Sequence, residues 1–133
     1  MTKPVELALT RGLTGAALDW AVAKCEGAHP QISYPDKRLF GAIGDTFDYS
    51  TDWAQSGPII EREVTRIFRN VGGTWSAMIL KGIPIPLEDR GTSLVLIQRM
   101  QWNAAGATPL IAAMRCYVAS KLGDEIDVPK ELI

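Results

Sequence analysis

The sequence is short of histidine and cysteine, two residue types that often act as base, nucleophile or metal ligand. Its 133 residues include one histidine and two cysteines. His29 precedes Pro30 with no nucleophile pattern nearby, so we interpret it as a surface loop residue. The nucleophile-elbow, zinc-protease, phosphate-loop, dinucleotide-binding and paired CxxC patterns are also missing. These absences predict no catalytic residue, no metal site and no cofactor.

Net charge and long apolar runs are missing as well. The 14 basic and 15 acidic side chains leave a formal charge of −1, which argues against a broad basic surface for duplex nucleic acid. No run approaches the roughly 18 apolar residues of a membrane span, and the first residues lack a signal core. Cys25 and Cys116 lie in separate apolar helical patterns, which predicts buried free thiols in a reducing compartment. We expect one cytosolic domain, residues 1–133, without a membrane partner.

Two segments have the spacing of amphipathic helices. In LTGAALDWAVAKCEG, Thr14 is placed to cap the helix and Gly27 to end it. In ATPLIAAMRCYVASKLGDE, Thr108 is the N-cap, Pro109 the first helical residue and Gly123 the stop. We expect these apolar faces to exceed what one thin sheet can bury, which favours a homo-oligomer.

The segments between the helices have the composition of strands. VTRIFRNV, TWSAMILK and SLVLIQRMQW predict three antiparallel strands. Turn signals separate them at Gly72-Gly73 and at a loop from Gly82 to Gly91 that contains two prolines. A weaker strand is predicted at Gln31–Tyr34 or at Lys37–Phe40. The sequence therefore predicts an α+β fold, with a small antiparallel sheet of three to four strands packed against two amphipathic helices.

The stretch YSTDWAQSGPII sets an indole among turn-forming residues. Asp52 can cap a short turn, Gln55 can reach back to it, Gly57 can stop it and Pro58 can open the next. We expect one or two helical turns over PIIEREV before the first of the three strands. Trp53 would then be held rigidly, either as the stacking wall of a site or as a plug over the sheet.

A possible anion site lies at the start of the second long helix. The helix N-terminus at Thr108 offers N–H groups, Gly106 allows close approach, and Arg115 lies on the same helical face. The alternative is that Thr108 only caps the helix and that Arg115 pairs with an acidic neighbour.

Aromatic and charged side chains allow two interpretations each. A set that suits a nucleotide or a single-stranded nucleic acid comprises Tyr34, Tyr49, Trp53, Trp75 and Trp102 with Arg62, Arg66, Arg69 and Arg99. The same aromatics are equally typical of a core, and the same arginines of a solvated sheet face. Four carboxylates are candidates for an acid–base cleft or for a solvated loop: Asp45, Asp48, Asp52 and Glu61.

Several quoted segments carry a resemblance to a known family. LTGAALDWAVAKCEG, YSTDWAQSGPIIERE, TWSAMI and TPLIAAMRCYVASKLGDEIDVP resemble the phage NinX family, small proteins of tailed phages and prophages. The resemblance lies outside residues 82–101. By it, the family's motif positions are Trp53, Gly57, Pro58, Glu61, Trp75, Thr108, Pro109 and Arg115. It implies an accessory gene among early or recombination-region phage genes, with no assigned catalytic residue.

That context gives the leading functional hypothesis. We expect a non-catalytic, homo-oligomeric protein that sequesters a small nucleotide-like signal of antiphage defence, such as a cyclic dinucleotide or an ADP-ribose derivative, in the cytoplasm of the infected cell. Alternatives are a protein-interaction module that inhibits a host enzyme or modulates phage recombination, and a phosphodiesterase-type enzyme. The candidate ligand-binding residues are Tyr49, Asp52, Trp53, Gln55, Trp75, Thr108 and Arg115.

Overall fold

The computed structural model describes residues 5–41, 44–86 and 95–133, with residues 83–86 and 95–98 described by their backbone only. The elements in chain order are β1 (Val5–Leu9), α1 (Gly15–Cys25), β2 (Gln31–Ile32), β3 (Leu39–Phe40), α2 (Trp53–Glu63), β4 (Arg66–Arg69), β5 (Trp75–Pro86), β6 (Val95–Gly106), α3 (Pro109–Leu122) and β7 (Glu125–Pro129). Single turns of 3-10 helix follow β1 at Thr10–Gly12 and β7 at Lys130–Leu132.

The largest sheet joins β4, β5 and β6 in that order, and both pairings are antiparallel. Its inner face packs against α3 and buries Ala77, Ile79 and Ala104. Residues that alternate with these, such as Phe68 and Met78, lie on the outer face because successive strand residues point to opposite sides. The predicted three antiparallel strands are therefore confirmed.

Helix α3 lies at the centre of the molecule. Both predicted ends are confirmed: Thr108 Oγ1 accepts from the Ile111 N–H at 3.2 Å, and Gly123 ends the helix with a φ of 87°. The sheet covers one side of α3, while α1 and α2 pack on others. The apolar helix faces are thus covered within one copy of the chain, which removes the apolar excess as an argument for a homo-oligomer.

Helix α1 matches its prediction. Leu18, Ala21 and Val22 are fully buried in the core, and Gly27 follows the helix with a φ of 78°. Thr14 occupies the N-cap position, although its side chain accepts no hydrogen bond there.

Helix α2 is one continuous helix from Trp53 to Glu63. The predicted cap is confirmed, because Asp52 Oδ1 accepts from the Ala54 N–H at 2.9 Å. The predicted break at Gly57 and Pro58 is wrong. Pro58 leaves the carbonyl of Ala54 without its helical donor, but Ala54 is exposed in the first turn, where water can supply a donor.

Strand β5 continues past its predicted end. The expected loop began at Gly82, but the strand runs through Pro84 to Pro86; the remainder of that loop lies outside the described residues. The N–H of Leu80 points away from β6, since it donates to Thr65 Oγ1. Pro84 and Pro86 share this alternation, so their missing N–H groups fall on the side of β5 that, within the described ranges, pairs with β4 only as far as Met78. Prolines at such positions remove no ladder hydrogen bond.

The weaker strand prediction offered two alternatives, and both segments form strands. β2 and β3 pair as a short antiparallel hairpin, with Gln31 opposite Phe40 and Ile32 opposite Leu39.

The ends of the chain form a ribbon that the sequence interpretation missed. β1 pairs antiparallel with β7, with Leu7 opposite Asp127. Val128 is fully buried beneath the ribbon, whereas Leu7 and Leu9 are exposed. Strands so far apart in sequence give no local turn signal, so pattern alone did not pair them. With three helices and small antiparallel sheets, the described fold is α+β as predicted.

Candidate functional site

The structure divides the predicted ligand-binding residues between two clefts and their surroundings. Tyr49 and Gln55 line a cleft of about 310 Å³ together with Glu26 and Asp45, here called the Glu26 cleft. Arg115 lines a different one of about 650 Å³, here called the Arg115 cleft, whose polar lining is Arg11, Thr74, Ser76, Asn103 and Arg115. Asp52, Trp53, Trp75 and Thr108 line neither.

The Glu26 cleft is poorly suited to a phosphate. Gln55 Oε1 accepts from the Asp48 N–H at 2.9 Å instead of reaching back to the cap, so its amide holds the loop before α2. Tyr49 stacks with Phe47, with ring centroids 6.1 Å apart. Burial raises the pKa of Tyr49, and the nearby charges of Glu26 and Asp45 raise it further. Glu26 is paired with Arg62 at 2.7 Å, so the charge that would repel an anion at this cleft is mainly that of Asp45.

Trp53 projects into solvent from the first residue of α2. Its exposed fraction is 55%. The possibility that it plugs the sheet is therefore excluded, since a plug would be buried. Its role as a stacking contact stays a prediction, with the indole oriented by the capped turn beneath it.

The first turn of α3 serves the fold more directly than a ligand. Pro109 has no N–H, and the Ile111 N–H is taken by Thr108. A Cβ on Gly106 would lie 2.7 Å from the Ala112 nitrogen, so the close approach that this glycine permits is that of α3 itself. At the predicted phosphate seat, positions 109 and 111 therefore offer no free amide, and α3 fills the space beside Gly106.

Arg115 anchors the edge of the main sheet. Its Nε donates to the Leu13 carbonyl at 2.7 Å, and its Nη1 donates to the Ala105 carbonyl at 2.8 Å. Burial lowers the pKa of its guanidinium. Arg115 makes no ion pair with any carboxylate in the described part of the chain, so the alternative of an acidic partner is not what the structure contains.

Arg11 makes the same kind of contact with β6, two residues before Ala105. Its Nε donates to the Asn103 carbonyl at 2.7 Å, and its Nη1 pairs with Asp124. Both accepting carbonyls, of Asn103 and Ala105, lie on the edge of β6 that faces away from β5. Two arginines thus cap an open strand edge, which otherwise favours pairing with foreign strands.

The Arg115 cleft combines these guanidiniums with neutral polar groups. Asn70 Nδ2 donates to Thr74 Oγ1 at 3.0 Å and to Ser76 Oγ at 2.8 Å, which fixes both hydroxyls on the cleft wall. No Asp or Glu is among the described residues that line the cleft. Positive charge, hydroxyls and an amide in an open cleft suit an anion with further polar groups.

The wider set of aromatics and arginines is spread over the molecule. Trp75 and Trp102 lie on the inner face of the main sheet, half-buried against the core. Tyr34 is exposed and donates to Glu131, and Arg62 pairs with Glu26 at 2.7 Å. The exposed arginines on the strands are Arg66, Arg69 and Arg99. His29 is exposed after α1, as predicted for a loop residue.

The sequence interpretation missed one buried carboxylate. Asp19 is only 7% exposed, and its Oδ1 accepts from the Ser50 N–H at 2.7 Å. Burial raises the pKa of Asp19 to about 6, although the Ser50 hydrogen bond opposes the rise; the charge of Asp48 adds to it. A signal was present, because Asp19 lies three and four residues before the buried Val22 and Ala23 on α1.

The predicted acid–base carboxylates have other contacts. Asp52 caps α2, and Asp48 accepts from Thr46 Oγ1 at 2.9 Å. Asp45 lies in the Glu26 cleft, and Glu61 is exposed on α2.

A second cluster escaped the sequence interpretation. The buried Tyr117 donates its hydroxyl proton to Glu26 Oε2, which also accepts from Arg62. Burial raises the pKa of Tyr117, and the Glu26 hydrogen bond raises it further. The cluster ties α1, α2 and α3 together.

These observations define a small α+β domain with a cationic cleft at one sheet edge. In the described ranges, no three metal-binding side chains gather and no helix could cross a membrane. A family model described as "Bacteriophage P22, NinX" matches residues 10–121, and the chain belongs to this NinX family of phage accessory proteins. The matched range includes residues 82–101, a segment that the resemblance described in the sequence analysis did not cover. Among curated proteins, none matches the chain.

Proposed function

We propose that this NinX protein is a non-catalytic binder that sequesters a small nucleotide-like signal of antiphage defence in the cytoplasm of the infected cell. The supporting observation is the Arg115 cleft, where two guanidiniums and two fixed hydroxyls surround about 650 Å³ of space. Cyclic dinucleotides and ADP-ribose derivatives combine phosphates with sugar hydroxyls, which are the groups that such a lining can bind.

The arginines suit a ligand phosphate because they are already oriented. Backbone carbonyls hold Arg11 by Nε and Arg115 by Nε and Nη1, and Asp124 pairs with Nη1 of Arg11, which leaves most of the positive charge of the cleft on Arg115. The remaining N–H groups can turn to an anion without the full cost of ordering a long side chain.

Ligand addition tests this proposal directly. We expect the melting temperature to rise when the correct cyclic dinucleotide or ADP-ribose derivative is added, and the ligand to be recovered intact after heat denaturation. No shift with any of these compounds would contradict the proposal in this form. A cleaved product would instead favour the phosphodiesterase alternative.

A matched pair of variants locates the ligand. Ala105 is exposed at the cleft and contributes no side-chain hydrogen bond. Ala105→Glu puts a carboxylate beside Arg115 and should abolish anion binding, while Ala105→Gln adds the same bulk without charge and should retain most of it. Equal binding by both variants would place the ligand elsewhere.

Assembly is a separate part of the proposal. We expect a homo-oligomer, and native mass spectrometry of protein taken from infected cells would report its subunit number together with any bound small molecule. A monomer that carries ligand would separate the binding proposal from the assembly proposal.

A protein-interaction module is the second candidate. Val5, Leu7 and Leu9 form an exposed apolar row on β1, with exposed fractions of 54%, 61% and 63%. Rows of this kind occur at protein interfaces. Capture of a host enzyme by the wild-type protein, but not by Leu7→Asp, would favour this candidate.

A further inference from the structure

The outer face of the main sheet carries a second cationic surface beside the Arg115 cleft, whose Ser76, Asn103 and Ala105 lie on the same face. Six of the residues that alternation and register place on this face, none of which lines the Arg115 cleft, are here called the Phe68 patch: Arg66, Phe68, Met78, Leu80, Arg99 and Gln101. Phe68 is 40% exposed and Leu80 39% exposed, although both are apolar. The side chain of Phe68 is therefore available for contact.

Charge is segregated on these strands. β4, β5 and β6 contain four basic residues and no Asp or Glu, in a chain whose acidic residues outnumber its basic ones. Within the Phe68 patch, Arg66 and Arg99 lie at opposite ends, one on each edge strand. The patch is thus positive and apolar together.

The aromatic ring and one arginine already form a stacked unit. The Arg66 Cζ lies 5.0 Å from the centroid of the Phe68 ring. Nucleic-acid bases stack both on aromatic rings and on guanidinium planes, so this pair offers a base a flat surface.

The distance between the two arginines selects a chain over a single nucleotide. Arg66 is opposite Met78, and Arg99 is opposite Gly82, so two strand spacings and four residues separate them. This places their backbones about 16 Å apart, from a spacing of about 4.8 Å and a rise of about 3.3 Å. At roughly 3.4 Å per stacked nucleotide, the patch spans four or five nucleotides of one strand.

We propose that the Phe68 patch binds single-stranded nucleic acid, with bases on Phe68 and phosphates at Arg66 and Arg99. Bases can stack on this sheet face only when they are unpaired. The bases of a duplex are stacked on one another, so a duplex offers the patch only its phosphates. This activity goes beyond the capture of a small ligand, and it uses none of the residues that line the Arg115 cleft.

The test uses fluorescence anisotropy with labelled 15-nucleotide oligo-dT and oligo-rU and with a 15-base-pair duplex. We expect saturable binding of the single strands, weaker binding of the duplex, and a log–log salt slope of about −1.4 for two neutralised phosphates. Absence of saturable single-strand binding at 50 mM salt, or equal affinity for the duplex, would overturn the proposal.

Variants test the two parts of the contact. Phe68→Ala should weaken binding roughly 5- to 150-fold, the range for loss of one base–aromatic stack, while Phe68→Tyr should retain it. Arg99→Ala should reduce the salt slope by about 0.7. Arg38→Ala is the matched control, because Arg38 is exposed between β2 and β3, away from the main sheet.

Binding is compared only among variants that keep the melting temperature of the wild-type protein. If Phe68→Ala does not fold, Arg99→Ala alone tests the patch. Wild-type affinity in folded Phe68→Ala, or an equal loss in Arg99→Ala and Arg38→Ala, would show that the patch is not the binding surface. The small-ligand proposal would remain intact in either case, because Ala105→Glu tests it separately.

Discussion

Asp19 on α1 accepts a hydrogen bond from the Ser50 N–H across 31 residues of sequence. The bond joins the most buried carboxylate found among the described residues to the loop that leads into α2. It fixes where α2 begins, since Asp52, two residues further, caps that helix. One carboxylate on a core helix thus orients the turn that presents Trp53.

Asp19 makes stability depend on pH. Its pKa of about 6 in the folded state lies above the roughly 3.9 of an unfolded aspartate, so the folded chain binds more protons between these values. Stability should therefore fall as pH rises from about 4 to about 6, then remain level. Asp19→Asn keeps the acceptor and removes the charge, so it should raise the free energy of unfolding at pH 7.5 by about 1–3 kcal/mol. Urea denaturation at several pH values measures this.

The control for that experiment is Asp36→Asn. Asp36 is exposed and accepts from Ser33 Oγ at 2.8 Å, a hydrogen bond that lowers its pKa. The stability that ionised Asp36 contributes is therefore lost as pH falls, which is opposite to the pH dependence expected of Asp19. A wild-type slope that survives in Asp19→Asn would contradict the assignment of the pH dependence to Asp19.

Replacement of Arg115 should reduce stability before it reduces any function. Arg115→Ala removes two charge-assisted hydrogen bonds, to Leu13 and Ala105, and uncaps the edge of β6. We expect a loss of about 2–4 kcal/mol, given about 1.5–3 kcal/mol for hydrogen bonds of charged groups and partial replacement by water. Arg115→Lys restores the charge without the fork and should recover less than half. A loss below about 0.5 kcal/mol in thermal or urea unfolding would refute the anchoring role.

Two glycines should respond to alanine in opposite directions. At Gly106, a new Cβ would lie 2.7 Å from both the Ala112 nitrogen and Ile111 Cγ2, so Gly106→Ala should cost about 1–3 kcal/mol through overpacking. At Gly57, inside α2, a Cβ meets nothing within 4 Å. Gly57→Ala should therefore stabilise the protein by about 0.5–1 kcal/mol. Melting temperatures of both variants decide; destabilisation by Gly57→Ala would mean that the helix breaks at Gly57 after all.

The two tryptophans of the family motif should also separate. Trp53→Ala should change the free energy of unfolding by no more than about 0.5 kcal/mol, because Trp53 is 55% exposed. Trp75→Ala should cost about 2–3 kcal/mol, less than the roughly 3–5 kcal/mol of a fully buried tryptophan, because Trp75 packs half-buried against the core. Loss of ligand in folded Trp53→Ala would place that residue in a site; a loss of stability well above about 0.5 kcal/mol would contradict its exposed position.

Local signals predicted the parts of the fold that local interactions determine. The Thr108 cap, the Gly123 stop and the strand composition of TWSAMILK are properties of neighbouring residues, and the sequence predicted all three. The β1–β7 ribbon depends on partners at opposite ends of the chain, for which no pattern exists in a single sequence. Pro84 predicted a loop, because a proline whose nitrogen faces a neighbouring strand removes a ladder hydrogen bond. Only the order of the strands in the sheet shows that the nitrogen of Pro84 faces no such neighbour among the described strands.

The candidate site was harder to predict for a similar reason. Arg115 was chosen for its helical position, but its partner Arg11 comes from a different part of the chain, and both use carbonyls that carry no sequence signal. The sequence predicts that Gly106 makes space for a ligand, whereas α3 fills that space. Phe68 and Arg66 were visible as residue types, and only the register placed them with Arg99 on one open face.

The two prolines of β5 limit how large any strand-paired assembly can become. Suppose that two copies pair edge to edge along the residues of β6 before Asn103. The outer edges of the joined sheet are then the four residues of β4 and the part of β5 in which Pro84 and Pro86 lack N–H donors. Neither border suits a third copy, because a short strand and missing N–H groups both prevent ladder growth. Association through this edge therefore ends at a pair and does not extend into a fibre.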